Sequence, residues 1–280
     1  MELAEFTAKV WEQGRALYRD LPWRNIRDPY AIWISEVMLQ QTQVSRVDGR
    51  WQRWLARFGS VEALAAAPLA DVLGEWQGMG YNSRAKRLHE CAQRIMTCHD
   101  GTIPQDYKEL VALPGIGPAT AAGIRAFAFN EPSVYLETNV RAVFIHELFA
   151  SQDAVDDKQI VPLVEATCPA AGSDVRGWYY ALLDYGAYLK KTHPNPSRKS
   201  KQHTRQGKFE GSHRQKRAFV LRCLLDAPKP ADAIAAELDA FELSCGRPAA
   251  GPDELASILL ELEREQMIRQ TLDGTWQVAN

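Results

Sequence analysis

Two stretches of the chain carry residue types and spacings suited to chemistry. In Leu113-Pro-Gly-Ile-Gly-Pro-Ala-Thr-Ala121, two glycines two residues apart stand between a Leu-Pro entry and an Ala-rich run. That pattern describes a hairpin joining two helices, with Gly115 and Gly117 able to take positive φ and to let the backbone approach something bulky. The amides opening the second helix, near Pro118 to Thr120, then point outward without partners. A helix N-terminus of that kind is a ready site for an anion such as a phosphate. An ordinary helical hairpin turn is the alternative. The second stretch surrounds Glu36. On a helix rich in Ile32, Trp33, Val37, Met38 and Leu39 its carboxyl is partly desolvated and its pKa raised. Those are the properties expected of a proton donor; a solvent-facing or capping glutamate is the alternative. A further carboxylate, Glu137, stands in Leu136-Glu-Thr-Asn-Val140.

The elements that must hold these groups read as helices. Apolar residues recur at helical spacing from Tyr30 to Val47, Val61 to Leu73, Ala85 to Met96 and Ala119 to Phe129, with short polar or Gly/Pro breaks between. Asp28 before Pro29 has the form of an N-cap followed by a first-turn proline. After Gly211 the chain changes character. His213 to Leu225, Pro230 to Leu238 and Pro252 to Gln266 read as three helices, and residues 267–278 as two short strands around Asp273-Gly274. Three helices and a terminal hairpin resemble a winged helix, with the helix after Gly251 in the place of a recognition helix. That helix carries Asp253, Glu254, Glu261, Glu263 and Glu265, which suit phosphates poorly, so a protein contact or a packing role stands beside DNA binding.

With 280 residues the chain can bury a large core in one or two domains. No uninterrupted apolar run approaches membrane-spanning length and no basic-then-apolar leader opens the chain, which points to a soluble, intracellular protein. The cysteines Cys91, Cys98, Cys168, Cys223 and Cys245 are scattered, without a CxxC pair, so no zinc site or disulfide framework is expected. From Lys190 to Arg217 there are ten Lys or Arg residues and a single acid, Glu210. Such a run is either a solvated linker or a track for a polyanion, and the overall charge of −2 does not exclude the track.

The hairpin string, Pro22-Trp-Arg24, Pro29-Tyr30, Ser35-Glu-Val-Met-Leu-Gln-Gln-Thr-Gln-Val44 and Gly78-Met-Gly-Tyr-Asn-Ser-Arg-Ala-Lys-Arg-Leu88 resemble the helix-hairpin-helix base-excision DNA glycosylases, most of all the MutY adenine glycosylases. The likeness runs from about Leu21 to Ala187. It implies that Glu36 is the general acid that protonates a purine, and that Glu137 stands where the superfamily places an aspartate facing the deoxyribose. The carboxylate is kept on an arm one methylene longer, which implies a shifted backbone, an altered mechanism or substrate, or an inactive site. The lyases of the superfamily carry a lysine at the position of Ala119, so a monofunctional glycosylase with weak or absent lyase activity is implied. Gln41 matches a residue that wedges into the vacated stack, and Tyr81 an aromatic near the opposite base. Arg24, Gln40, Thr42 and Arg46 are candidate contacts to base or phosphate, together with Leu113, Gly115, Gly117, Ala119 and Thr120 of the hairpin. Asn139 and Arg141 are candidate DNA contacts that support the Glu137 segment and the nearby phosphates, and Asp184 is a buried brace. Many relatives carry a four-cysteine iron–sulfur loop where Lys190, Ser197, Ser200 and Gln206 fall here, and none of these replaces a thiolate, so no cluster is expected. Full-length members also carry a Nudix-like domain that checks for 8-oxoguanine, for which this chain has neither the length nor the pattern.

The expected architecture is a mainly α, two-lobed helix-hairpin-helix glycosylase fold with a C-terminal winged-helix module. The core spans 1–208: lobe one covers about 25–130, lobe two 1–24 with 131–208, and a basic loop at 190–208 replaces the cluster loop. The winged helix spans 209–280. The expected activity is excision of adenine opposite 8-oxoguanine or guanine by a monomer acting on double-stranded DNA in the cytoplasm at the nucleoid. A glycosylase for a deaminated or alkylated base, or for uracil or thymine opposite guanine, is one alternative. A non-catalytic DNA-binding protein on a degenerate core is another.

Overall fold

The computed structural model describes residues 1–204 and 207–279. Leu3–Ala16 forms α1 and Pro29–Leu39 forms α2. Asp28 opens α2 as its sequence predicts, accepting a hydrogen bond from the Tyr30 amide while Pro29 fills the first turn. The helix does not run on to Val47. Gln41 takes φ 53°, a left-handed conformation incompatible with a right-handed helix, and the chain restarts as α3, Val44–Val47. Then follow α4 (Arg50–Arg57), α5 (Val61–Ala66), α6 (Leu69–Glu75) and α7 (Ser83–Cys98). The single run read from Val61 to Leu73 is thus two helices. Ala67 precedes Pro68, whose ring pushes it out of the helical region to ψ 144°.

The hairpin comprises α8 (Tyr107–Val111) and α9 (Pro118–Ile124), and α9 continues as a π-turn over Arg125–Phe129 that ends at left-handed Asn130. Next come α10 (Thr138–Leu148), α11 (Asp157–Thr167) and α12 (Val175–Thr192). The C-terminal part holds α13 (His213–Asp226), α14 (Ala231–Ser244) and α15 (Pro252–Arg264), so α14 continues beyond Leu238. Ile268–Gln270 (β1) pairs antiparallel with Trp276–Val278 (β2), Ile268 opposite Val278, and Trp276 also bridges to Lys229 between α13 and α14. The fold is mainly α. Among the described residues no helix is long and apolar enough to cross a membrane.

The chain forms two compact units, residues 1–40 with 103–205 and residues 41–102 with 206–280. In the first, Phe6 of α1 packs on Phe144 of α10 and Trp178 of α12, at ring centroid separations of 4.8 and 6.4 Å. The segment between α1 and α2 is tied down by Arg24, whose guanidinium makes two bonds of 2.6 and 2.8 Å to buried Asp184 of α12 and lies over the Tyr180 ring. In the second, Trp54, Phe58 and Trp76 form an edge-to-face cluster. Its C-terminal part is closed by ion pairs between α13 and α15: Lys216 with Glu254, His213 with Glu261, and Arg217 with Glu261 and Glu265. Glu254, Glu261 and Glu265, three of the five acids that make this helix look unsuited to phosphate, therefore face cations of the same unit.

Candidate active site

Glu36 sits near the end of α2, one turn before the helix stops, with Ile32, Trp33, Ile34, Ser35, Val37 and Met38 buried around it. Its side chain turns to α9 and to the strand-like segment before α10. Room for it exists because residue 123 is glycine: a Cβ there would lie 2.3 Å from Glu36 Oε2 and 3.0 Å from the Tyr135 ring. The Tyr135 hydroxyl donates to Glu36 Oε2 at 3.2 Å. Burial pushes the Glu36 carboxyl up to about 8; the Tyr135 bond works against that rise and the nearby charge of Glu137 adds to it. Glu36 is thus protonated at neutral pH, as its apolar helix predicts.

Glu137 is the N-cap of α10. Its Oε1 accepts from the amides of Asn139 and of Val140 (2.9 Å), and Oε2 accepts from the Asn139 side chain at 3.2 Å. Burial raises its pKa too, but the Val140 and Asn139 amides and the charges of Lys190 and Arg141 push in the other direction. The longer arm is absorbed by folding back onto its own helix start. Asn139 is the hub, since its Oδ1 in turn accepts from Lys190 Nζ at 3.0 Å. Arg141 makes a fork of two 2.7 Å bonds to Asp157, which leaves it a brace for the segment.

The remaining predicted residues divide into exposed and enclosed ones. In the hairpin, Leu113 and Ile116 are buried, and Gly115, Gly117 and Ala119 are exposed. Gly115 has φ 76°, as predicted. Gly117 has φ −83°, so it needs no left-handed freedom and serves as the N-cap of α9, with no side-chain cap hydrogen bond among the described residues. Thr120 is buried and accepts from Gln40 Nε2 at 2.9 Å. Arg24 is 4% exposed and turned to Asp184, away from solvent.

In the second unit, Gln41 and Arg46 are exposed and Thr42 accepts from Arg84 at 3.1 Å. Gln41, Arg46, Gly78 and Tyr81 line a cavity of about 800 Å³ together with Phe209 and Arg214. Tyr81 itself takes φ 51°, and Arg214 of α13 donates to its hydroxyl while lying 5.3 Å above its ring. Left-handed residues other than glycine store strain, and both Gln41 and Tyr81 carry it at the rim of one cavity. Sequence reasoning missed Tyr135 and Arg214. The first could have been found as the tyrosine two residues before a candidate carboxylate; nothing local marked the second.

The basic run is largely engaged by protein: besides Lys190, Lys216 and Arg217, Lys199 donates to the Ala150 carbonyl and Lys208 pairs with Glu210. Of the residues at the cluster-ligand positions, Lys190 is bound to Asn139, Ser197 donates to Asn195, and Ser200 bridges to Val155. An amine and two hydroxyls do not fit iron–sulfur ligation, and Gln206 lies outside the described residues.

Residues 34–167 match the model of the HhH-GPD superfamily of base excision DNA repair proteins. An adenine DNA glycosylase of Mycolicibacterium smegmatis is 34% identical over 279 residues, covering 93% of this chain and 92% of that one. The chain belongs to this superfamily of DNA glycosylases. It is most like the adenine glycosylases of the MutY type. That of Mycobacterium tuberculosis is 44% identical over 138 residues, 49% of this chain and 45% of the relative. Among solved structures, a thermostable thymine-DNA glycosylase aligns with a TM-score of 0.59 at 25% identity, over 66% of this chain and 86% of its own. An endonuclease III bound to DNA aligns with a TM-score of 0.55 at 17% identity, over 69% of this chain and 87% of its own, and shares the fold.

Proposed function

We propose that the protein removes adenine opposite 8-oxoguanine or guanine by hydrolysing its N-glycosidic bond and leaves an abasic site. The observation that carries this reading is Glu36, a carboxyl held protonated at neutral pH by burial within unit one, the unit that also carries Glu137. Glu36 gives its proton to a ring nitrogen of the purine, the bonding pair leaves with the neutralised base, and positive charge develops on the sugar. Glu137 stabilises that charge from the start of α10, and water completes the hydrolysis. Ala119 offers no amine, so no Schiff base forms there and strand cleavage needs added alkali.

On the DNA side, the amides of the exposed residues Gly115, Gly117 and Ala119 take a phosphate, Gln41 fills the gap left by the flipped nucleotide, and Tyr81 meets the base opposite. In the first unit Gln40, Thr120, Asn139 and Arg141 brace the segments that carry Glu36, the hairpin and Glu137, and in the second Thr42 holds Arg84, while Arg46 and the exposed cations after Lys190 attract the backbone. Residues 209–280 act as a winged helix attached to a glycosylase core of residues 1–208. The enzyme works as a monomer on intracellular double-stranded DNA, without an iron–sulfur cluster.

The test is single-turnover cleavage of labelled duplexes carrying adenine opposite 8-oxoguanine or guanine, with thymine or uracil opposite guanine, hypoxanthine and alkylated purines alongside. Release of adenine, lost in Glu36→Gln, supports the proposal. Release of another base overturns the substrate, and binding without release from any duplex overturns catalysis.

A further inference from the structure

Tyr135 is a buried phenol that the reaction above does not use. It is 7% exposed and lies two residues before Glu137, and its hydroxyl reaches Glu36 across a sequence separation of 99 residues. Its ring is fixed edge-on between Phe127 and Tyr179, at centroid distances of 5.2 and 5.4 Å. Its amide is held by the Tyr179 hydroxyl, which itself donates to the Ser133 carbonyl. The hydroxyl therefore cannot swing away from Glu36, and Gly123 leaves no side chain between them.

We propose that Tyr135 is a positioning residue that tunes Glu36 as an acid, by holding Oε2 and stabilising the carboxylate that remains once the proton has passed to the base. This rests on the proposed glycosylase reaction. The proton of the neutral acid is carried on Oε1. When it moves to the purine nitrogen, the Oε1–H bond breaks and the N–H bond forms. The phenol keeps its own proton and its bond to Oε2 becomes charge-assisted, which strengthens it at the moment charge appears. The phenol stays neutral throughout, since burial and the nearby Glu36 and Glu137 hold its pKa far above the ordinary tyrosine value. The other groups bearing on Glu36 are Glu137 at the start of α10 and Tyr180 of α12, behind which stands Arg24 with Asp184. Tyr135 is the one among them with a hydrogen bond to the acid.

The experiment compares wild type with Tyr135→Phe, which keeps the ring and removes the hydroxyl. Titration of carbon-13-labelled glutamate carboxyls by NMR, with the Glu36 signal assigned through Glu36→Gln, reads the acid directly and needs no substrate. The Glu36 midpoint is expected to rise by about one to two pH units in Tyr135→Phe, the equivalent of roughly a tenfold to hundredfold change for one hydrogen bond to a charged group. In single turnover at pH 7 on adenine opposite 8-oxoguanine the rate falls roughly tenfold, and the alkaline limb of the pH profile moves up with the midpoint. An unmoved midpoint overturns the proposal, whether or not the rate falls, because a merely structural tyrosine slows the reaction without changing the acid. A moved midpoint in a protein that releases no adenine upholds the tuning of Glu36 and overturns the adenine reading instead.

Discussion

The two glutamates of the first unit are chemically alike and burial raises the proton affinity of both, but only one of them is given groups that oppose the rise strongly. Glu36 lies near the C-terminal end of a buried helix, with apolar neighbours and one phenol for company, and burial dominates its proton affinity. Glu137 lies at the N-terminal end of a helix, where the peptide amides and the positive end of the dipole meet it, and Lys190 and Arg141 add their charge. A carboxyl at a helix end surrounded by hydrocarbon is prepared to give up a proton. One seated on free amides is prepared to bear negative charge. The difference teaches that the direction of the helix, more than the identity of the acid, divides the labour.

That contrast can be broken most severely at its acid. Glu36→Gln is expected to lower the single-turnover rate by about a thousandfold while duplex binding persists. Glu137→Gln keeps an oxygen to cap α10 but loses the charge, so the rate is expected to fall roughly a hundredfold with a thermal midpoint near that of wild type. Glu137→Ala, which loses the cap as well, costs a further ~1 kcal/mol of stability that a melt would detect. Gly123→Ala tests the enclosure, because the new methyl needs the space of Glu36 Oε2 beside a fixed Tyr135 ring. A displacement of about 1 Å predicts a loss of the order of a hundredfold in rate with the fold intact. A rate close to wild type would show that the acid tolerates another pose.

The pH dependence sharpens the same contrast. Glu36 has a folded pKa near 8, above its ordinary value of 4.5, so the folded protein binds the proton more tightly than the unfolded chain. Its contribution is fully present below about pH 4.5 and is lost as pH rises through 8. Glu36→Gln should therefore gain stability relative to wild type over that window, by a few kcal/mol at alkaline pH, and show little difference at pH 4.5; parallel melts at pH 4.5 and 9 check this. The smallest effect is expected in the second unit. Arg214→Ala removes the donor to the Tyr81 hydroxyl, and a fewfold weakening of duplex affinity with an unchanged rate at saturation is expected; binding by anisotropy measures it.

The acid helix and the hairpin were legible because each announces itself within a dozen residues: an apolar run around Glu36, paired glycines after Leu113. The three C-terminal helices and the hairpin at Asp273-Gly274 were legible for the same reason. Glu137 was marked only by the resemblance, and its role as the cap of α10 was not read from the sequence. What was hidden depends on distant partners. Arg24 reads as a candidate DNA contact until Asp184, 160 residues later, takes both its nitrogens. The break at Gln41 is a left-handed turn in a sequence with helical periodicity, at a residue whose type does not announce one. Tyr135 could not be singled out because its value lies in where its hydroxyl ends, and only the assembled core fixes that.

Because the first unit joins residues 1–40 to residues 103–205, its acid is made long before its enclosure. A nascent chain that has emerged only through α7 contains Glu36 but neither Gly123, Tyr135 nor Glu137, the groups that enclose it in the finished unit. Contacts so far apart in sequence close late in folding. The power to cut a glycosidic bond is consequently a property of the finished chain, and fragments of synthesis or of proteolysis that end before α10 carry the acid without its potency.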